Sequence, residues 1–166
     1  MGFFSKLFGK SEEANAAQYL YAPMAGAAVP VTEVPDPTFA EGILGNGIAI
    51  IPTDGKVCAP CDATVDMMFT TGHAVSLITE SGAEILIHVG LETVSLEGKP
   101  FRVHAASGDK VKKGQLLMEA DLEAIKAAGL NTITPMLVCN SSGFSNLKTK
   151  VGADVTNEDV VIDLGK

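Results

Sequence analysis

From Tyr19 onward, glycine and proline break the chain so often that most apolar runs have room for one short strand and little more. In "YLYAPMAGAAVPV", Pro23 and Gly26 mark a turn. "VPDPTFAEGILGNGIAIIP" spends Pro35, Pro37, Gly42, Gly45 and Gly47 before its apolar run begins. "TDGK" gives the next turn, "VCAPCDATVDMMF" alternates with period two, and "TTG" leads into "HAVSLITESGAEILIHVG". "GDKVKKGQLL" reads as a loop between strands, and "TPMLVCN" and "DVVIDLG" close as strands. Only "EADLEAIKAAG" has helical spacing, with Leu122, Ile125 and Lys126 on one side and Gly129 as a stop. Many short strands with frequent turns predict an all-β sandwich or barrel with one or two short helices, one near 121–128. The 17 glycines, the 5% aromatic content and the absence of tryptophan suit such a fold better than a helical bundle.

One weak internal repeat is visible. "APMAG" at 22–26 and "APCDA" at 59–63 each follow a strand-like approach and precede an alternating segment. Duplicated strand–turn units would give a pseudo-symmetric β fold.

An ionisable residue sits where the core is expected. In "EILIHVGLET", His88 stands among Ile85, Leu86, Ile87 and Val89. A second histidine, His73, opens the preceding apolar run, and "ESG" between them signals a turn, so 73–79 and 83–89 should form an antiparallel hairpin. Opposed residues in such a hairpin have numbers with a fixed sum and point to the same face. A hairpin loop of even length therefore puts His73 and His88 on one face, and an odd loop separates them. Two-residue loops are the favoured kind, so paired imidazoles are expected.

A lone histidine in an apolar strand is most simply a core residue with a satisfied hydrogen bond. Two side by side need partners for four ring nitrogens, which is harder to explain as packing. Such a pair could hold a metal with Glu92 or Asp62 as a third ligand, as in a zinc-dependent hydrolase of related β architecture. Alternatively, one ring could be a nucleophile and the other a stabiliser of transferred charge. Spacing does not choose between them. His104, in "FRVHAASG", has no such partner and reads as surface.

Three other signals are weaker. "CAPC" (58–61) has thiol-redox spacing, but such sites open a helix, and strand alternation follows here. "APMAG" and "GDKVKKGQLLMEAD" also look like pieces of biotinyl and lipoyl carrier domains, but no modifiable lysine follows at a hairpin tip. "GNGIAI" lacks the helix and lysine of a phosphate-binding loop.

Net charge bounds the partners. At −8 the chain lacks the positive footprint that nucleic acid requires, and a basic protein suits it better. Three cysteines, at 58, 61 and 139, argue against a disulfide framework and for a reducing compartment. Residues 1–18 read as a flexible amphipathic segment ahead of a single domain over 19–166. Within it, "MGFFSKLFGK" has helical spacing of Phe3, Phe4, Leu7 and Phe8 with Lys6 and Lys10 largely opposite, the pattern of a surface-lying anchor or of a start that packs locally. Each lysine near an anionic surface adds on the order of 1 kcal/mol. Full-length protein should therefore bind anionic vesicles better than a form lacking residues 1–10, and equal binding would remove the anchor.

The run "EGILGNGIAIIP", the later "AP" turn with Asp62, the long "TGHAVSLITESGAEILIHVGLETVSLEGKPF", and "GDKVKKGQLL" followed by "TPMLVCN" closely resemble the glucose-type enzyme IIA of the bacterial sugar phosphotransferase system. The blocks occur in the same order from about Tyr21 to the C-terminus. The resemblance implies a sandwich of duplicated barrel-like motifs and a phosphotransferase component working in the cytoplasm, with peripheral contact at the inner membrane face if residues 1–10 act as an anchor. It implies that His88 is phosphorylated, that His73 holds the phosphoryl group, and that Thr71 hydrogen-bonds within the pair. It implies HPr as donor, the cysteine of a transporter's IIB domain as acceptor, and regulatory protein targets in some relatives. It implies no cofactor, with zinc at His73 and His88 at most adventitious. Phe39, Ile43, Phe69 and Leu86 are the expected apolar docking face, with Glu92 beside them. The chain departs from the family at Ala63, where glycine is usual, and at Glu92, where aspartate is.

Overall fold

The computed structural model describes residues 18–165. Fourteen strands and two short helices build it. In chain order the strands are β1 (Tyr19–Tyr21), β2 (Gly26–Pro30), β3 (Asn46–Pro52), β4 (Lys56–Cys58), β5 (Ala63–Met68), β6 (Ala74–Ile78) and β7 (Glu84–His88). Then follow β8 (Phe101–Val103), β9 (Lys110–Val111), β10 (Leu116–Ala120), β11 (Thr134–Val138), β12 (Lys148–Thr149), β13 (Asp154–Val155) and β14 (Val160–Asp163). An eight-stranded sheet of order β13-β2-β3-β11-β7-β6-β5-β9 is accompanied by two three-stranded sheets, β1-β14-β12 and β4-β10-β8. The expected all-β sandwich is the fold.

Helix α1 (Pro37–Ala40) starts where Asp36 caps the Thr38 N–H, with proline in its first turn. Helix α2 (Leu122–Ala127) is capped by Asp121 on the Ala124 N–H, buries Ile125, and ends at Gly129 in the left-handed region (φ +80°). The helix expected near 121–128 thus starts at a side-chain cap and ends at a glycine in the left-handed region.

The duplication is visible in hydrogen bonding far beyond the five-residue repeat. β1 pairs with β14 as Tyr19↔Asp163, Leu20↔Ile162 and Tyr21↔Val160, skipping one residue of β14. β4 pairs with β10 as Lys56↔Glu119, Val57↔Met118 and Cys58↔Leu116, with the same skip. β2–β13 and β5–β9 repeat this relation at the sheet edges. The two "AP" turns then bond each other reciprocally: Tyr21 N–H donates to the Pro60 carbonyl at 2.9 Å, and Cys58 N–H to that of Pro23 at 2.7 Å. A pseudo-twofold relates the halves. "GDKVKKGQLL", expected as a loop, contains β9. Its two residues are too short for a hydrophobic period to register.

Ala63 and Gly26 are counterparts in this symmetry, each opening a strand. Ala63 is not at positive φ, so its side chain is accommodated without strain. At Gly26 an added Cβ would stand 2.2 Å from the Ile51 carbonyl oxygen, which is why that half needs glycine.

Period-two alternation divides the large sheet into two faces. Ile48, Ile50, Val75, Leu77, Ile85, Ile87, Met136 and Val138 fill the main core on one face. On the other, the segment from Val31 to Leu44 folds over Ala49 and Leu137 and makes a second cluster with Phe39, Leu91 and Ile133. His88, two residues from Leu86 along β7, belongs to this second face. It ends its strand at the rim of that cover.

Candidate functional site

The 74–88 hairpin closes differently from the favoured two-residue form. β6 and β7 pair as Ala74↔His88 through Ile78↔Glu84, and the Thr79 N–H donates to the Ala83 carbonyl at 3.0 Å. The loop is Glu80, Ser81 and Gly82, an odd length, with Gly82 at φ +88°. Thr79 stabilises it from inside, its hydroxyl accepting from the Ala83 N–H at 3.0 Å. In this register His73 opposes Val89, whose N–H donates to the His73 carbonyl at 2.7 Å. Regular alternation would therefore put the two imidazoles on opposite faces. They meet because His73 lies just before β6, after Gly72 at φ +71°, where the chain bends and strand alternation no longer governs.

Four rings stand in a row. Phe39 and His88 have centroids 5.2 Å apart, His88 and His73 5.1 Å, and His73 and Phe69 5.3 Å. The two imidazoles meet edge to face at 81°. His88 is half-buried, and its Nδ1–H donates to the Gly90 carbonyl at 2.7 Å. That bond fixes the tautomer and leaves the Nε2 lone pair free. His73 is 6% exposed, and its Nδ1 is bonded to the Thr71 hydroxyl. With Thr71 donating, the His73 Nε2 carries the proton and is the donor of the pair.

Electrostatics keep both rings neutral near pH 7. Burial, then the proximity of His88, pushes His73 down to about 4. Burial also lowers His88, opposed by the Gly90 carbonyl and the Asp36 carboxylate. The His73 shift has a stability consequence. An imidazole with ordinary value 6.5 takes up its proton in the unfolded chain before the folded one, so the unfolded state binds more protons across that interval. The contribution is complete above pH 6.5 and lost as pH falls toward 4. Going from pH 7.5 to 5 should cost about 1–2 kcal/mol in urea titrations, and His73→Gln should flatten the dependence. Identical pH profiles for the two proteins would contradict the shift.

The expected docking residues divide. Ile43 is 68% exposed, and Leu86 and Phe69 are half-buried at the surface. Phe39 does not stand on an exposed face: at 5% exposure it belongs to the second cluster and forms the floor beside His88. Glu92 is exposed and adopts a left-handed conformation, φ 60°. Sequence reading missed one charged neighbour and two exposed apolar residues. Asp36 supplies charge toward His88. Val94, 51% exposed, follows closely in the 3-10 turn over Thr93–Leu96. Met67, 50% exposed, reaches this side because a bulge between Val65 and Met67 pairs it with Ser76, in line with Leu86.

The remaining candidates lie elsewhere or form no site. Asp62 accepts the Lys113 N–H at 2.8 Å at the turn into β5. Among the described residues, no group of three or more His, Cys, Asp or Glu could hold a metal ion, so neither Asp62 nor Glu92 completes a set with the two histidines. His104 is an exposed partner of Glu119 at 2.7 Å. Cys58 and Cys61 are free and buried, and a strand rather than a helix follows them. Burial pushes the Cys61 thiol up to about 12, the reverse of a redox-active pair. Residues 1–10 lie outside the described residues. Among those described, no helix is long and apolar enough to cross a membrane.

Residues 18–144 match the family model of the phosphoenolpyruvate-dependent sugar phosphotransferase system, EIIA 1. The chain belongs to this family. It is 43% identical over 153 residues to the PTS system glucose-specific EIIA component of Bacillus anthracis, covering 92% of each chain. With the protein of that name from Staphylococcus epidermidis it shares 42% over 162 residues, 97% of this chain and 98% of the relative. In the glucose-specific EIICBA component of Streptococcus pneumoniae, 45% identical, 81% of this EIIA chain aligns with only 18% of a longer polypeptide. Among solved structures, the glucose permease IIA of Mycoplasma capricolum superposes with a TM-score of 0.81 at 32% identity, over 88% of this chain and 94% of that one. The protein is a phosphocarrier component of a sugar phosphotransferase system.

Proposed function

We propose that His88 Nε2 is the atom that carries the phosphoryl group. The observation behind this is the Nδ1–H bond to the Gly90 carbonyl, which leaves Nε2 as the free nucleophile beside His73. In the uptake step, the Nε2 lone pair attacks the phosphorus of phospho-HPr. The new N–P bond forms as the donor's N–P bond breaks, and the departing imidazole keeps that electron pair. No proton has to move, because the His88 proton stays on Nδ1 throughout. His73 Nε2–H then donates to a phosphoryl oxygen, and the Thr71 hydroxyl holds His73 in the tautomer that allows it. In the onward step, a thiolate of a IIB domain attacks the same phosphorus and His88 leaves as neutral imidazole. Positioning and charge stabilisation suffice for both transfers.

The half-buried rim of Phe69 and Leu86, the exposed Ile43 and the Phe39 floor keep water from the N–P bond and offer partners an apolar face. Asp36 and Glu92 add negative charge beside it, suited to a basic partner. Incubation with enzyme I, HPr and phosphoenolpyruvate should add a single acid-labile phosphoryl mass, mapped to the peptide containing His88. Label on any other residue would overturn the assignment.

A further inference from the structure

His88 is a nucleophile at Nε2 only while its proton stays on Nδ1, and one carbonyl, that of Gly90, keeps it there. Both peptides flanking Gly90 are pinned from elsewhere. The peptide that follows is held at its far end, where the Leu91 N–H donates to the Asn131 carbonyl at 2.9 Å. The peptide before it is held by Thr93, whose hydroxyl donates to the Val89 carbonyl at 2.6 Å. Thr93 is 0% exposed, so no water competes for that carbonyl. Its methyl group packs against Gly90: a Cβ added there, at φ +75°, would stand 2.6 Å from Thr93 Cγ2. The adjoining Glu92 is in the left-handed region, a conformation that persists in a non-glycine residue only where surrounding contacts hold it.

We infer that Thr93 is a positioning residue for phosphoryl transfer: by holding the Val89 carbonyl, its hydroxyl fixes the peptide entering Gly90, as the Asn131 carbonyl fixes the one leaving it, and the two together aim the Gly90 carbonyl at Nδ1 and keep His88 in the tautomer with Nε2 free. The inference rests on the assignment of His88 as acceptor. Thr93 touches no reacting atom. Without its hydroxyl the Val89–Gly90 peptide can rotate and shift the Gly90 Cα, leaving the Gly90 carbonyl held from the Leu91 side alone; the bond from Nδ1 lengthens, and the proton redistributes to Nε2, where it blocks attack.

The test is nitrogen-labelled histidine NMR of the intact protein, with uptake rates from phospho-HPr measured in parallel. Thr93→Val keeps the shape and removes the hydroxyl, and Thr93→Ser keeps the hydroxyl. In Thr93→Val the population with the proton on Nε2 should rise, and uptake should fall, by about 3- to 10-fold, the range that one hydrogen bond's net worth gives. Thr93→Ser should keep the wild-type tautomer. An unchanged tautomer in Thr93→Val would overturn the inference even if uptake slowed, because Thr93 would then be merely structural. If Thr93→Val does not fold, a tautomer shift in Thr93→Ser overturns it equally. The tautomer readout needs no phosphoryl donor, so wild-type protein unlabelled at His88 would count against the phosphocarrier assignment and not against the tautomer lock.

Discussion

His88→Ala should accept no phosphoryl group at all from phospho-HPr. With His88 as the proposed acceptor the loss is complete, because the variant lacks the bond-forming atom and no neighbouring ring or thiol replaces it. His73 is the only other imidazole in the row of rings, and its Nδ1 is taken by Thr71; with Thr71 donating, its Nε2 carries the proton and has no lone pair for attack. The buried cysteines are held protonated: Cys61 is pushed up to about 12 and Cys58 is raised, burial being the main cause in both. Removing the ring opens a gap between Phe39 and His73, so His88→Gln serves as a filled control. It should be equally inert while melting closer to wild type. Labelling of either variant would mean that another residue is the acceptor.

His73→Gln should behave differently. Glutamine keeps an N–H donor at nearly the same reach, so the variant should still be phosphorylated by HPr. Its flexible amide does not reproduce the fixed ring's preorganised Nε2–H as the group leaves, and the Thr71 hydroxyl loses its ring partner. Removing a preorganised donor outright commonly costs about 2.7–4 kcal/mol, or ~100- to 1000-fold in rate, which is the upper bound for a variant that keeps a donor but loses its preorganisation. That loss should fall mainly on transfer to IIB, read as sugar phosphorylation, with uptake slowed less. If His73→Ala abolished labelling while His88→Ala retained it, the roles of the two histidines would be reversed.

Much of the fold was legible because it is written in short-range chemistry. Glycine and proline punctuation marks the strands, and Asp121 and Gly129 mark the ends of α2. The duplication was barely legible because its two halves keep turn geometry and not residue type. Gln115 accepts the Lys112 N–H in one half, where Asp159 accepts the Thr156 N–H in the other. No residue-by-residue comparison finds that equivalence. His73 and His88 pair as expected, but not through an even-length hairpin loop. An odd loop formed because Thr79 and Gly82 stabilise it, and a bend at Gly72 restored the contact that the register had removed. Met67 escaped notice for a related reason: a bulge shifts its face, and alternation is the only signal a sequence offers there. The burial of Phe39 is not legible locally, because the segment that carries it, 31–44, folds onto Ala49 and Leu137, the latter on a strand distant in the chain.

The central claim concerns a single atom, and phosphorus NMR of the phosphorylated protein with nitrogen-labelled histidine tests it most directly. Coupling assigns the phosphoryl group to one ring nitrogen of one histidine. The Gly90 carbonyl occupies the Nδ1 side of His88, so the phosphorus should couple to His88 Nε2, with Nδ1 still protonated. Phosphorus on Nδ1 of His88, or on either nitrogen of His73, would contradict the account.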